Sequence, residues 1–140
     1  MTIRPAHKGD AAGLADLTTQ LGYPTRAAKL AERLTLLGRE DTLLVAAGDE
    51  DQPLGWIHVA IEVGLEHGRS AVIRGLVVDE RHRNDGIGVA LLGAGERWAH
   101  DRGVRRMVVR SRVVRERAHR FYEREGYSLE KTSHIFSKSV

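Results

Sequence analysis

Apolar residues recur along this chain with two different periods, and the switches between them lay out its elements. Thr2–Pro5 reads as a short strand, and Asp10 is placed to cap a helix whose Leu14, Leu17 and Leu21 share one face before Gly22-Tyr23-Pro24 ends it. Thr25 is placed to cap a second helix, with a stripe of Ala27, Leu30, Leu34 and Leu37 closed by Gly38. Strand signals follow at Thr42–Ala47 and Leu54–Val63, on either side of the hairpin turn Gly48–Pro53, and again at Ala71–Val78. In the Leu54–Val63 strand, Ile57, Val59 and Ile61 face one way, and Trp56, His58, Ala60 and Glu62 face the other. A helix from Ile87 carries Leu91, Ala94, Gly95 and Trp98 on one face and ends near Asp101-Arg102-Gly103. Val104–Ser111 is then a strand, Val114–Glu125 a long helix, and Tyr127–Lys131 with His134–Lys138 two closing strands. The order β-α-α-β-β-β-α-β-α-β-β predicts a mixed α/β (α+β) fold: a central mixed, largely antiparallel sheet of about seven strands flanked by four helices.

One stretch concentrates the chemistry. Leu76-Val77-Val78 is an apolar strand end, Asp79–Asp85 a charged loop, and Gly86-Ile87-Gly88-Val89 the opening of the next helix. Gly86 and Gly88 leave no Cβ between backbone and ligand, so successive N–H groups are free to converge on an anion at the positive end of the helix. That dipole contributes roughly 0.3–1 kcal/mol, and Arg83 adds a forked cation. A P-loop would need Lys-Ser or Lys-Thr after Gly88, where Val89 and Ala90 stand, and a dinucleotide fingerprint would need Gly or Ala at Leu91. What remains is Arg-x-x-Gly-x-Gly between a strand and a helix.

This motif, read with Leu76-Val77-Val78 before it and Ala118-His119-Arg120-Phe121-Tyr122-Glu123-Arg124-Glu125-Gly126-Tyr127 after it, resembles the GNAT superfamily of acetyl-CoA-dependent N-acetyltransferases over nearly the whole chain. The resemblance implies the GNAT fold, with acetyl-CoA as co-substrate and a primary amine as acceptor. It implies that the pyrophosphate is held at Arg83, Asn84, Asp85, Gly86, Ile87, Gly88 and Val89. It also implies that the pantetheine arm pairs with exposed main chain near Leu76, Val77 and Val78, where this strand splays from the next. Gly75 inside that strand marks either a bulge or close approach, or room for a neighbouring side chain, and the resemblance favours the first.

Composition narrows the chemistry. A chain of 140 residues, 41% hydrophobic and 29% charged, fits one domain over residues 1–140, without an apolar run of spanning length or a signal peptide, and a cytoplasmic location is the expectation. The absence of cysteine removes a cysteine acyl-enzyme, so the acetyl group has to move directly within a ternary complex. The seven histidines show no metal-ligand spacing, and no metal is expected.

Within the family pattern, Tyr122 is the expected general acid for the departing thiolate. Proton transfer from an ordinary phenol to a thiolate is uphill by roughly 2 kcal/mol, with cysteine standing for the cofactor thiol. On residue type alone, a tyrosine beside Phe121 on a helix is usually a packing residue, and the motif is what turns the reading to catalysis. The base is less defined, because many relatives carry a glutamate near the position of Val72 and Ala71–Val78 has no carboxylate. Glu62 and His58, on one face of the preceding strand, are the candidates for base or water relay, with Glu66 or His67 of the following loop as alternatives, and a lone strand histidine is more often structural. Arg115 stands where many members have an asparagine that contacts pantetheine, so Ser111 or Arg112 is the expected substitute.

Nine arginines from Arg102 to Arg124 raise the alternative of a nucleic-acid surface. A net charge of +3 and 5% aromatic residues argue against it, and a solvated helix face explains these arginines more simply. A second alternative is a GNAT-like module that binds acyl-CoA as a sensor without turnover. Edge strands near Thr132–Val140 make a homodimer the expected assembly.

Overall fold

The computed structural model describes residues 1–140, and its elements start and stop where local chemistry dictates. Helix α1 spans Ala11–Leu21, buries Leu14, Ala15 and Leu17, and ends at Gly22 in the left-handed region. Asp10 precedes it without capping it, because its carboxylate is taken elsewhere. Arg4 donates to it from Nη1 at 2.8 Å and from Nη2 at 2.9 Å, and the His7 N–H adds a third bond at 2.9 Å. Helix α2 is shorter than expected, Ala27–Leu34, with Arg26 rather than Thr25 at its N-cap. The Thr25 hydroxyl donates to the Tyr23 carbonyl instead. Beyond Leu34 the chain tightens into turns, and the Gly38 N–H goes to Asp41 Oδ2 at 3.1 Å.

Five strands form one sheet in the order β1-β2-β3-β4-β5, with β1 Thr2–Pro5, β2 Asp41–Ala47, β3 Pro53–Gly64, β4 Gly68–Val78 and β5 Met107–Val109. All neighbours are antiparallel except β4 and β5, which run parallel through Ala71–Ile73 alone. Register places Leu43, His58 and Gly75 opposite one another, and likewise Val45, Trp56 and Val77. Trp56, Leu30 and Leu34 all pack against the buried cluster Leu14, Val45 and Ala47, so α1 and α2 cover this face of the sheet. Ile57 and Val59 lie on the other face against Gly95 of α3 (Ile87–Asp101).

The sheet therefore has five strands where seven were expected. Val104–Ser111 contracts to Met107–Val109, because the neighbouring strand supplies only three partners. Tyr127–Lys131 and His134–Lys138 alternate like strands but do not form strands, and Leu129, Ile135 and Phe136 stay exposed. A β-pattern becomes a strand only beside another strand. Contacts divide the chain into two compact units, Met1–Arg110 and Ser111–Val140. The second holds α4, Glu116–Arg124, which starts later than expected and closes at Gly126 with the Tyr127 N–H bonded to the Tyr122 carbonyl. No helix is long and apolar enough to cross a membrane.

Arg4 also reaches Asp51 Oδ1 at 2.8 Å and the Asp51 carbonyl, so one guanidinium joins β1, the start of α1 and the β2–β3 turn. Its hydrogen bonds to Asp10 hold the buried Asp10 carboxyl below the usual carboxylate range, against the cost of burial. A depressed carboxylate stabilises the fold above its unfolded pKa of about 3.9, and that contribution disappears as pH falls through the folded value. Asp10→Asn is expected to cost about 3 kcal/mol at pH 7, read by denaturant unfolding. The gap between variant and parent should close as pH drops below about 4.

Candidate active site

The loop after β4 is built to stay open. Buried Asp79 turns its N–H to the Leu54 carbonyl and accepts from the Arg81 main chain and guanidinium, starting a single 3-10 turn at Glu80–His82. The Glu80 N–H is tied to Gln20 of α1 at 3.0 Å. Asn84 then takes φ +72° and Gly86 φ +79°, and nothing lies within 4 Å of where a Gly86 Cβ would sit. The first intrahelical bond runs from Ala90 to Gly86, so the N–H groups of Ile87, Gly88 and Val89 point out of the helix end without intrahelical acceptors. Arg83 is exposed, and its guanidinium has no partner in the protein. A left-handed pair of residues, three outward N–H groups and a free guanidinium are what a pyrophosphate requires.

Beside this cradle β4 has an unpaired edge. Arg74 is an extra residue between the pairs His58–Gly75 and Val59–Ile73, a β-bulge. Past Ile73 the strand has no partner on the β5 side. Because the Asp79 N–H and the Val77 main chain point toward β3, alternation turns the N–H and C=O groups of Leu76 and Val78 to that open edge. Of the three expected residues, Leu76 and Val78 thus offer main chain, while Val77 pairs with Trp56 and is buried. Gly75 answers to a side chain rather than to a ligand: a Cβ there would lie 2.6 Å from the Trp56 ring. The bulge and the close contact are both present, one residue apart.

On the α1/α2 face a polar group continues from Trp56 along β3. The His58 ring Nε2 meets Asp41 Oδ1 at 2.9 Å, both side chains about one-quarter exposed. Burial works against the charge on Asp41, yet the His58 and Gly38 hydrogen bonds outweigh it and hold its carboxyl below the ordinary range. Glu62 is held by Arg74 Nη2 at 3.1 Å and by Arg110 Nη2 at 3.3 Å. Sequence reasoning missed Asp41 and Arg74. Asp41 opens a strand rather than following a motif, and the signal for Arg74 was the adjacent Gly75.

Tyr122 belongs to the second unit, on α4, with its ring 5.2 Å from Phe121 and 5.6 Å from Tyr127. Burial pushes its phenol up to about 12, against the opposing pull of Arg115. Full proton transfer to a thiolate then becomes uphill by roughly 5 kcal/mol rather than 2, so the hydroxyl works best as a hydrogen-bond donor to developing charge. Ser111 begins the same unit and is partly exposed. At least three of the nine arginines have partners of their own within the chain. Arg102 stacks on Trp98 at 4.6 Å and donates to the Arg39 carbonyl, Arg110 meets Glu62, and Arg124 lies near Glu125.

The model of the acetyltransferase (GNAT) family matches residues 13–127. An aminoglycoside N(6′)-acetyltransferase type 1 of Stenotrophomonas maltophilia is 30% identical over 132 residues, covering 90% of this chain and 85% of that protein. The fold is shared with an apo aminoglycoside 6′-N-acetyltransferase of Acinetobacter haemolyticus (TM-score 0.86, 18% identity, 100% of this chain and 99% of that one). It is shared too with an enzyme solved with the bisubstrate analogue CoA-S-monomethyl-acetylneamine (TM-score 0.84, 20% identity, 99% and 98%).

Removing the free cation or filling the cradle should weaken the ligand without unfolding the protein. Arg83→Ala is expected to raise the acetyl-CoA Kd about tenfold in calorimetric titration. Gly86→Ala is expected to do the same while costing about 1–2 kcal/mol of left-handed strain.

Proposed function

This chain belongs to the acetyltransferase (GNAT) family and moves an acetyl group from acetyl-CoA to an amine, and from that premise we propose that its acceptor is the 6′-amine of an aminoglycoside or a close amino-sugar analogue. The observation that carries the acceptor is the 30% identity, over nine-tenths of the chain, to an aminoglycoside N(6′)-acetyltransferase. Polyamines, amino acids and protein N-termini are the competing amines. Catalysis of this kind replaces the sensor reading weighed from the sequence.

In this reading residues 1–140 act as one acetyltransferase domain, supported by a family match that runs across both compact units. The pyrophosphate sits on the main chain of Asn84, Asp85, Gly86, Ile87, Gly88 and Val89 with Arg83 closing over it. Leu76 and Val78 pair with the pantetheine amides, and Ser111 supplies a further polar contact to that arm. Tyr122 donates a hydrogen bond to the sulfur as the C–S bond breaks, and His58 or Glu62 takes the proton that the amine sheds. We place the enzyme in the cytoplasm as a homodimer. The support for the dimer is the set of exposed apolar side chains Leu129, Ile135 and Phe136, and sedimentation should show a monomer for Ile135→Asp with Phe136→Asp.

Thiol release measured against a panel of amines tests the acceptor. Aminoglycosides bearing a 6′-amine should turn over with the highest kcat/KM, and Tyr122→Phe should lower kcat about 10²-fold with little change in acetyl-CoA affinity. Turnover confined to another amine class would refute the aminoglycoside assignment, and an unchanged kcat in Tyr122→Phe would remove Tyr122 from the mechanism.

A further inference from the structure

We propose that His58 and Asp41 work as a dyad, in which Asp41 fixes the tautomer of the ring and His58 Nδ1 takes the proton from the attacking amine. The proposal deepens the acetyl-transfer reading and shares its acceptor.

An ionised carboxylate only accepts hydrogen bonds, so the 2.9 Å contact to Asp41 Oδ1 puts the ring proton on Nε2 and leaves the lone pair on Nδ1. Asp41 is itself oriented, because its other oxygen accepts from the Gly38 N–H at 3.1 Å. Nδ1 has no partner in the protein, and it is not among the side-chain atoms sealed from solvent. The pair is thus a base oriented by a carboxylate, with its working nitrogen open.

Its place in the sheet fits the task. His58 is directly opposite Gly75, the residue before Leu76, where β4 begins to offer main chain to its open edge. Glu62, two positions further on the same face, already accepts from both Arg74 and Arg110, whereas His58 keeps one ring nitrogen open. The charged groups facing the dyad are Arg74 from β4 and Glu62 with Arg110 beyond it. His7 and Lys8 lie across the cleft that Asp41 borders.

In the step itself, the amine lone pair forms the N–C bond at the thioester carbonyl and the N–H bond breaks with its proton passing to Nδ1. The C–S bond breaks with its electron pair staying on sulfur, which becomes the thiol on taking up a proton. His58 then returns its proton to water, leaving the N-acetyl product and CoA.

The test compares His58→Gln and Asp41→Asn with the parent enzyme in kcat and kcat/KM from pH 5 to 9, on the amine that the parent turns over best. Acetyl-CoA Kd serves as the folding control. His58→Gln should lose about 10²-fold in kcat with Kd unchanged, and should lose the ascending limb in the histidine range. Asp41→Asn should lower kcat about tenfold with Kd unchanged, since the amide no longer selects the tautomer that leaves the Nδ1 lone pair open. A pair with a merely structural role would leave the limb in His58→Gln where it is. Full kcat in both variants, with the limb still present in His58→Gln, overturns the dyad. A parent enzyme that ignores aminoglycosides but acetylates another amine overturns the acceptor alone, and the dyad is then read on that amine.

Discussion

Main-chain polar groups demand partners, and the arrangement of this protein follows from the stretch where β4 has none. Parallel pairing with β5 stops at Ile73, and the bulge at Arg74 bends the strand as it leaves. Leu76 and Val78 therefore present N–H and C=O groups to a gap instead of a strand. An unpaired edge of this kind is a liability unless something extended occupies it. In the proposed function a pantetheine arm, with two amides along its length, is that occupant, and the cradle at Gly86–Val89, within ten residues, takes the charged end.

The same bulge organises the α1/α2 face. It brings Gly75 opposite His58 and lets the Trp56 ring lie across a position where a Cβ would clash. Trp56 in turn packs against the buried cluster of Leu14, Val45 and Ala47, which ties the geometry of the open edge to the core. Further along β3 the polar side chains sort by partner: Glu62 goes to two arginines, and His58 goes to one carboxylate. The two candidates for the base, equivalent on spacing, are made different by what each of them touches.

The fold was legible where a pattern and a partner coincide. Leu14, Leu17 and Gly22 bound α1, and the Ile57/Trp56 alternation sorted the faces of β3 as predicted. Arg83 and the two glycines were readable because their chemistry is local, a turn and a helix end. The closing strands failed because the alternation in Tyr127–Lys138 says which side chains share a face and not which strand lies alongside. The Asp10 cap failed for a related reason: the Arg4 guanidinium from β1 competes better for its carboxylate than the helix N–H groups do. Asp41 is seventeen residues from His58 and carries no motif, so only the β2–β3 register reveals the pair.

Hydrogen exchange of the main-chain amides, compared with and without acetyl-CoA, bears most directly on the open edge. The amides of Leu76, Val78, Ile87, Gly88 and Val89 should exchange fast in the free protein and become protected together on binding, while Val77, already bonded to β3, changes little. Binding of acetyl-CoA that leaves Leu76 and Val78 as exchangeable as before would contradict the account.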